Sequence, residues 1–261
     1  MSSVAISGNA SGAGVLTIAA PNTASSYTLT LPTQTGTLVS GTTTAGVVAP
    51  AGTATLAPIL LVSGTNLTSA TAGAIEYDGK VVYGTPLGTQ RGIVPTQQYY
   101  RLDSAYAGSN ATGAQSLFGV GVTLSASTVY EFEGFAILLK TAGVTSHTLS
   151  TLFGGTATIN NIGYGTLGID ANGGVGTRGT AEAVSSIVTT AVVLTGAMNV
   201  ATQSIMFYLK GTVSINAGGT FIPQYSLSAA PGGAYSTQIG SYIRINPLSA
   251  SGAATNVGTW A

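Results

Sequence analysis

Residues 1–75 contain no Asp, Glu, Lys, Arg or His, and Glu76 is the first charged side chain of a 261-residue chain. A long uncharged segment has few physical outcomes: it crosses a membrane, stays unfolded, or packs against other protein. A spanning helix needs about 18 or more continuous apolar residues. The most apolar runs, ATLAPILLV at 54–62 and TTAVVLTGAMNV at 189–200, are shorter and interrupted by Pro, Thr or Gly. Disordered chains are poor in apolar residues and carry high net charge, whereas this one is 44% hydrophobic with 12 Tyr and 6 Phe. Packing against protein is the outcome left.

The rest of the composition agrees. Charged residues make up 5% of the chain, seven of each sign with formal net charge zero, against about 25% in an ordinary globular domain. Net charge holds like molecules apart, and its absence favours association. There is no cysteine, so neither a disulfide framework nor a thiolate metal site can form. His147 is the only histidine, which leaves little basis for an imidazole site. The N-terminal MSSVAISGNASG has neither the basic region nor the apolar core of a secretory signal, so the expectation is synthesis and retention in a cytoplasm, or release by lysis.

Apolar residues recur at period two, the spacing of a half-buried strand. In SYTLTLP (26–32), Tyr27, Leu29 and Leu31 fall on one face and Thr28 and Thr30 on the other. Threonine suits a strand because its branched Cβ fits the pleat, and its hydroxyl gives polarity without charge. The same alternation marks VLTIAA (15–20), AIEYDGKVVYG (74–84), TVYEFEGFAILLK (128–140), SIMFYLKGTVSI (204–215), TFIPQYSLS (220–228) and SYIRINPL (241–248), with Gly, Asn and Pro between them as turns. Asp78-Gly79 predicts a two-residue type I′ hairpin. GTAEAVSSIVTTA (179–191) reads equally as helix or strand. The runs FAILL and IMFYL are apolar at nearly every position, which suggests strands covered on both faces, one of them by a neighbouring subunit. The expected fold is all-β.

The composition breaks near residues 75–95: all 14 charges and 11 of the 12 tyrosines lie beyond residue 75. This divides the chain into 1–90, a Gly/Thr/Ser-rich attachment or stalk region, and 91–261, a domain of the size and strand number of a β-sandwich or jelly roll.

The segment GVLTIAAPNTASSYTLTLPTQTGTLVS resembles a unit of fibre and appendage proteins of tailed bacteriophages: an apolar strand, "AP", a small polar linker, "YTLTLP" and "TGTL". GTATLAPILLVSGTNLTSATAGAIEYDGKVVYGTP is similar to a segment of such virion proteins, especially those of phages of marine and cyanobacterial hosts, ahead of a C-terminal β-domain. TVYEFEGFAILLK looks like the first long strand of the jelly-roll-like domain that follows. The resemblance implies a homotrimeric virion component with an N-terminal attachment or stalk region and a distal β-domain, on a tail fibre, a head fibre or a capsid decoration. With one copy of the YTLTLP unit and no long shaft, the chain fits a short fibre or head-mounted spike.

Chemistry-bearing residues are sparse. GVGTRG at 174–179 satisfies G-x-G-x-x-G, but no Asp or Glu follows Glu182 to hold a ribose, so it reads as a glycine-rich surface loop. Glu131 and Glu133 share one strand face, the starting geometry of a two-carboxylate hydrolase, a metal or ion site, or a charged stripe opposite Tyr130 and Phe132 that is solvated or paired between subunits. Asp78, beside Glu76, is a turn residue before it is a cation ligand. His147 lacks a recognisable partner set for catalysis. The basic residues Lys80, Arg91, Arg101, Lys140, Arg178, Lys210 and Arg244 are scattered singly, with no stripe for nucleic acid. Tyr99, Tyr100, Tyr106, Tyr164, Tyr225, Tyr235 and Tyr242 sit near strand ends, where rings fill a core or interface or stack on a glycan. The expectation is a non-enzymatic structural protein with no cofactor, no metal, no nucleic acid and no membrane insertion. Its partners would be its own copies, other virion proteins and a host surface glycan.

Overall fold

The computed structural model describes residues 51–252, 254 and 256–260. The strands expected at 15–20 and 26–32, and with them most of the expected attachment region, lie outside the described residues. Contacts divide the chain at Ile59/Leu60, and the unit from Leu60 onward is described by itself.

That unit is all-β; no helix occurs among the described residues. A small antiparallel sheet comes first: β1 (Ile75–Tyr77), β2 (Val82–Gly84) and β3 (Gly92–Val94) in the order β1-β2-β3. The sandwich strands follow in chain order as β4 (Gln98–Arg101), β5 (Tyr106–Ala107), β6 (Gln115–Ser116), β7 (Val122–Leu124), β8 (Thr128–Lys140), β9 (Leu149–Gly154), β10 (Thr158–Ala171), β11 (Thr180–Ser186), β12 (Val192–Val193), β13 (Gln203–Ala217), β14 (Gly219–Leu227), β15 (Ser236–Thr237) and β16 (Tyr242–Ala250). The large sheet runs β11-β10-β13-β8-β15-β5, with β16 alongside β8 and β4 alongside β16. The small sheet runs β12-β9-β14-β6, with β7 also on β14.

The β10–β11 hairpin is an addition at one edge. Without it, β4/β5, β6/β7, β8, β9, β12, β13, β14 and β15/β16 form eight successive positions, in the order 1-8-3-6 in one sheet and 2-7-4-5 in the other. Successive strands therefore alternate between sheets in most steps, and the core is built from residues distant in sequence. Phe132 of β8 packs edge-on to Phe153 of β9 at 5.3 Å, and Phe153 stacks on Phe221 of β14 at 4.8 Å and meets Tyr164 of β10 edge-on at 4.8 Å. Offset-stacked and edge-to-face pairs add about 0.5–1.5 kcal/mol each to the burial of their area.

β8 shows why the sheets face as they do. Tyr130, Phe132, Gly134, Ala136 and Leu138 point into the core, while the odd-numbered residues between them stay half-buried on the other side. One chain thus covers one face of the runs FAILL and IMFYL and leaves the second face, still apolar, half open.

Two expectations are corrected or resolved here. Residues 74–84 do form a hairpin, but Tyr77 pairs with Val82, so the loop has four residues and is not type I′. Type I′ requires positive φ at both central residues, and of Asp78 and Gly79 only Gly79 has it, at 90°. The Asp78 carboxylate decides the outcome: its Oδ1 accepts from the backbone N–H of Lys80 and Val81, both at 2.8 Å, and its Oδ2 from the Tyr83 hydroxyl at 2.9 Å. Of the segment 179–191 read equally as helix or strand, Thr180–Ser186 form a strand, β11, and the remainder is irregular.

Candidate functional site

The outer face of the large sheet gathers the side chains that sequence reading singled out. Strand register places Gly165, Lys210, Glu133 and Arg244 in one row across β10, β13, β8 and β16. In the same register Thr212, Glu131 and Asn246 make the next row. Lys210 Nζ lies 3.6 Å from Glu131 and 3.9 Å from Glu133, and Arg244 Nη2 donates to Glu133 Oε2 at 2.8 Å. The Arg244 hydrogen bond holds Glu133 below the usual carboxylate range against a smaller opposing effect of burial, helped by the charges of Arg244 and Lys210. A general acid needs the reverse, a carboxyl kept protonated by its surroundings. Glu131 and Glu133 therefore form a paired charge ladder in which Glu133 is held ionised.

Beside the ladder runs an aromatic row. Leu167, Tyr208, Phe135 and Tyr242 are register neighbours, and Tyr99 of β4 stacks on Tyr242 at 5.6 Å, with Phe135 6.1 Å beyond. A third row holds Ile169, Met206 and Ile137. The loop carrying Val175 and Arg178 leans over this end of the sheet and closes a hollow of about 420 Å³ against Phe135, Ile137, Ile169 and Met206. That loop contains GVGTRG. It joins β10 to β11, so a strand follows it where a dinucleotide site needs a helix N-terminus.

The seven tyrosines separate by burial. Tyr164, Tyr225 and Tyr235 are core residues; Tyr99 (56% exposed), Tyr100 and Tyr106 face solvent, and Tyr242 lies half-buried on the outer face. Only the solvent-facing group and Tyr242 are placed to meet a ligand or partner.

The remaining candidates are internal. Glu76 accepts from Arg91 Nε at 2.8 Å and from the Leu67 N–H at 2.6 Å. Lys80 Nζ donates to the carbonyls of Ala126 and Ser127 at 2.8 and 2.9 Å, fixing the three-stranded β1-β2-β3 sheet to the β7–β8 turn. His147 is buried, with Nδ1 2.8 Å from the Thr145 carbonyl and Nε2 2.9 Å from the Tyr235 hydroxyl. Burial, and to a lesser degree the charge of Lys140, holds its pKa below the ordinary histidine value. Lys140 is 1% exposed and has no carboxylate partner. Its ammonium donates to the carbonyls of Gly143 (2.9 Å), Ala201 (3.3 Å) and Val200. Gly143 can turn its carbonyl this way because it sits at φ 81°, where a side chain would also strike the Pro231 carbonyl. Among the described residues no three His, Asp or Glu side chains come together as a metal-binding group. Sequence reading missed the Lys140–His147–Tyr235 cluster; the one local signal was a lysine closing an apolar strand.

No family model matches this chain, and no curated protein is similar to it. Among solved structures it is similar to the structure of infectious bursal disease virus, Gx strain, at 13% identity and TM-score 0.17, covering 72% of this chain and 49% of that one. It is also similar to the VP2 subviral particle of infectious bursal disease virus, at 11% identity and TM-score 0.15, covering 68% and 46%. The chain spans about half the length of both.

Proposed function

We propose that this protein is a non-enzymatic structural component of a phage virion, a short trimeric fibre or a head-fibre or capsid-decoration protein. It docks on the capsid or tail through residues 1–90 and projects the β-domain 91–261. It is assembled in the host cytoplasm and retained in the particle. The observation that carries the reading is the strand order 1-8-3-6 over 2-7-4-5, the order of a jelly roll, a fold of viral capsid and lectin domains. The family resemblance of residues 12–95 and the near absence of free charge support it. With so little charge, identical chains neither repel each other nor lose much hydration when they pack.

A second reading, a tail-fibre receptor-binding module for host polysaccharide, has one observation of its own: the exposed Tyr99 ring stacked on Tyr242, next to the polar row of Arg244 and Glu133. Sugar rings stack on such aromatic faces while hydroxyls bond to neighbouring polar groups.

The light-scattering mass of the full chain tests the leading reading. A mass near three times 25.7 kDa is expected. A single-chain mass at every concentration would remove its basis, and binding of the monomer to a host polysaccharide would then favour the second reading.

A further inference from the structure

We infer that the outer face of the large sheet is where copies of this chain meet. The inference rests on the assembly proposed above and names the surface responsible.

The face is continuous, with two apolar rows set beside two polar and charged ones. Its aromatic row crosses four strands without a polar interruption, and the row of Ile169, Met206 and Ile137 extends it toward the β10–β11 loop. Contiguous patches beyond a few hundred Å² are rare on monomers and mark interaction sites. Six strands at a spacing of about 4.8 Å, over four two-residue steps of about 6.7 Å, give roughly 770 Å² in plan before side-chain relief. A stable interface buries about 800 Å² per partner, so this face comes close to the required size. Tyr, Phe, Met and Arg, the residue types concentrated in interface cores, are its main constituents.

Charge selects the occupant. The face carries Glu131, Glu133, Lys210 and Arg244, and at its β4 edge Arg101 paired with Asp103, three of each sign. It has no net charge to repel its own kind, and it offers each carboxylate of one copy a cation on the next. Lys210 is the group with capacity to spare, since its side chain is 55% exposed and its two carboxylates stand at 3.6 and 3.9 Å. A nucleic acid or anionic lipid surface would require an excess of cations, which this face lacks. A second copy of the chain matches both its chemistry and its size.

Two measurements on the full-length protein test this. The first is the rate of lysine acylation in the wild-type assembly. The chain has three lysines; Lys140 is buried and the ammonium of Lys80 is capped by carbonyls, so Lys210 is the open one in a single chain. It should react several-fold more slowly in the assembly than in the unfolded chain. The second is the light-scattering mass of Met206→Lys and Lys210→Glu, with Ser226→Glu on the outer face of the small sheet as control. Lys210 is exposed, so Lys210→Glu leaves the single chain folded while replacing a cation of the face with an acid. Both face variants should fall toward the 25.7 kDa of one chain, Met206→Lys should free Lys210, and the control should keep the wild-type mass. A wild-type oligomer whose Lys210 reacts as in the unfolded chain overturns the inference and leaves the assembly reading standing. So does an oligomer with protected Lys210 in which both face variants keep their mass. A wild-type protein of single-chain mass at all concentrations overturns both.

Discussion

Lys140 and Lys210 belong to neighbouring strands of the same sheet, yet the first is bonded only to backbone carbonyls inside the sandwich and the second stands half open between two carboxylates. The difference follows from strand parity. The inward side of β8 and β13 is closed by the small sheet, so a cation there must find fixed dipoles or leave; the outward side has solvent, and a cation there needs no fixed partner. In a chain with seven cations, even a buried one serves architecture. Lys140 draws together the end of β8, the loop at Gly143 and the approach to β13, three segments no sheet ladder joins. In the outer ladder only Arg244 and Glu133 are tightly bonded within the single chain, and Lys210 is left available to a neighbour.

If that division is right, substitutions inside should cost far more than matched ones outside. Lys140→Met keeps the apolar stem but leaves the carbonyls of Gly143, Val200 and Ala201 without their shared buried donor, and should lower the free energy of unfolding in urea by about 3 kcal/mol. Lys210→Met serves as its partner experiment, and a similar loss there would break the comparison. Next in size, Tyr235→Phe removes the hydroxyl that His147 Nε2 meets at 2.9 Å. It should cost about 1–3 kcal/mol, the range for leaving a buried polar group unmade.

The pH dependence sharpens the same point. Because His147 in the folded chain has a pKa below its ordinary 6.5, the unfolded chain takes up the proton first as the pH falls. Stability should hold above neutrality and decline below about pH 6.5, by up to about 1.4 kcal/mol per pH unit, until the folded histidine also titrates. Urea titrations of wild type and His147→Phe should differ by that step; its survival in the variant would exclude His147 as the cause. Glu133 acts in a separate and more acidic window, since a carboxyl held below its ordinary value of 4.5 contributes stability that is lost as pH falls through its folded pKa. Smallest of all, Glu131→Gln, on the exposed side of the ladder, should leave the urea midpoint of the dissociated chain within error.

Much of the sandwich was legible in the sequence where apolar residues alternate without interruption. β8 occupies the 128–140 segment its alternation predicts, and β13, β14 and β16 lie within a few residues of theirs. β10 was not anticipated, although it spans 14 residues, because Gly163 and Gly165 blank one parity of the pattern and leave Ile162, Tyr164 and Thr166 without visible contrast. β9 is short and rich in small polar residues, and was missed for a similar reason. At the site, parity alone placed Glu131 and Glu133 together and outward. It could not supply Lys210 or Arg244, because partners across strands are set by register, which no local stretch encodes. The tyrosines were grouped by their nearness to strand ends; Tyr164, Tyr225 and Tyr235 turned inward because packing against the second sheet chooses the parity of each strand.

β4 opens the sandwich and has a single partner in the sheet, β16, which closes it: Arg101 pairs with Tyr242 roughly 140 residues of chain later. At a synthesis rate of about 5–20 residues per second, β4 waits some 10–30 s on the ribosome with an unpaired edge. Tyr242 and Arg244, which complete the aromatic row and the charge ladder, are delivered in that same last stretch. The surface on which copies are inferred to meet therefore does not exist on a nascent chain. Neighbouring chains on one messenger are protected from premature association by the order in which the protein is made.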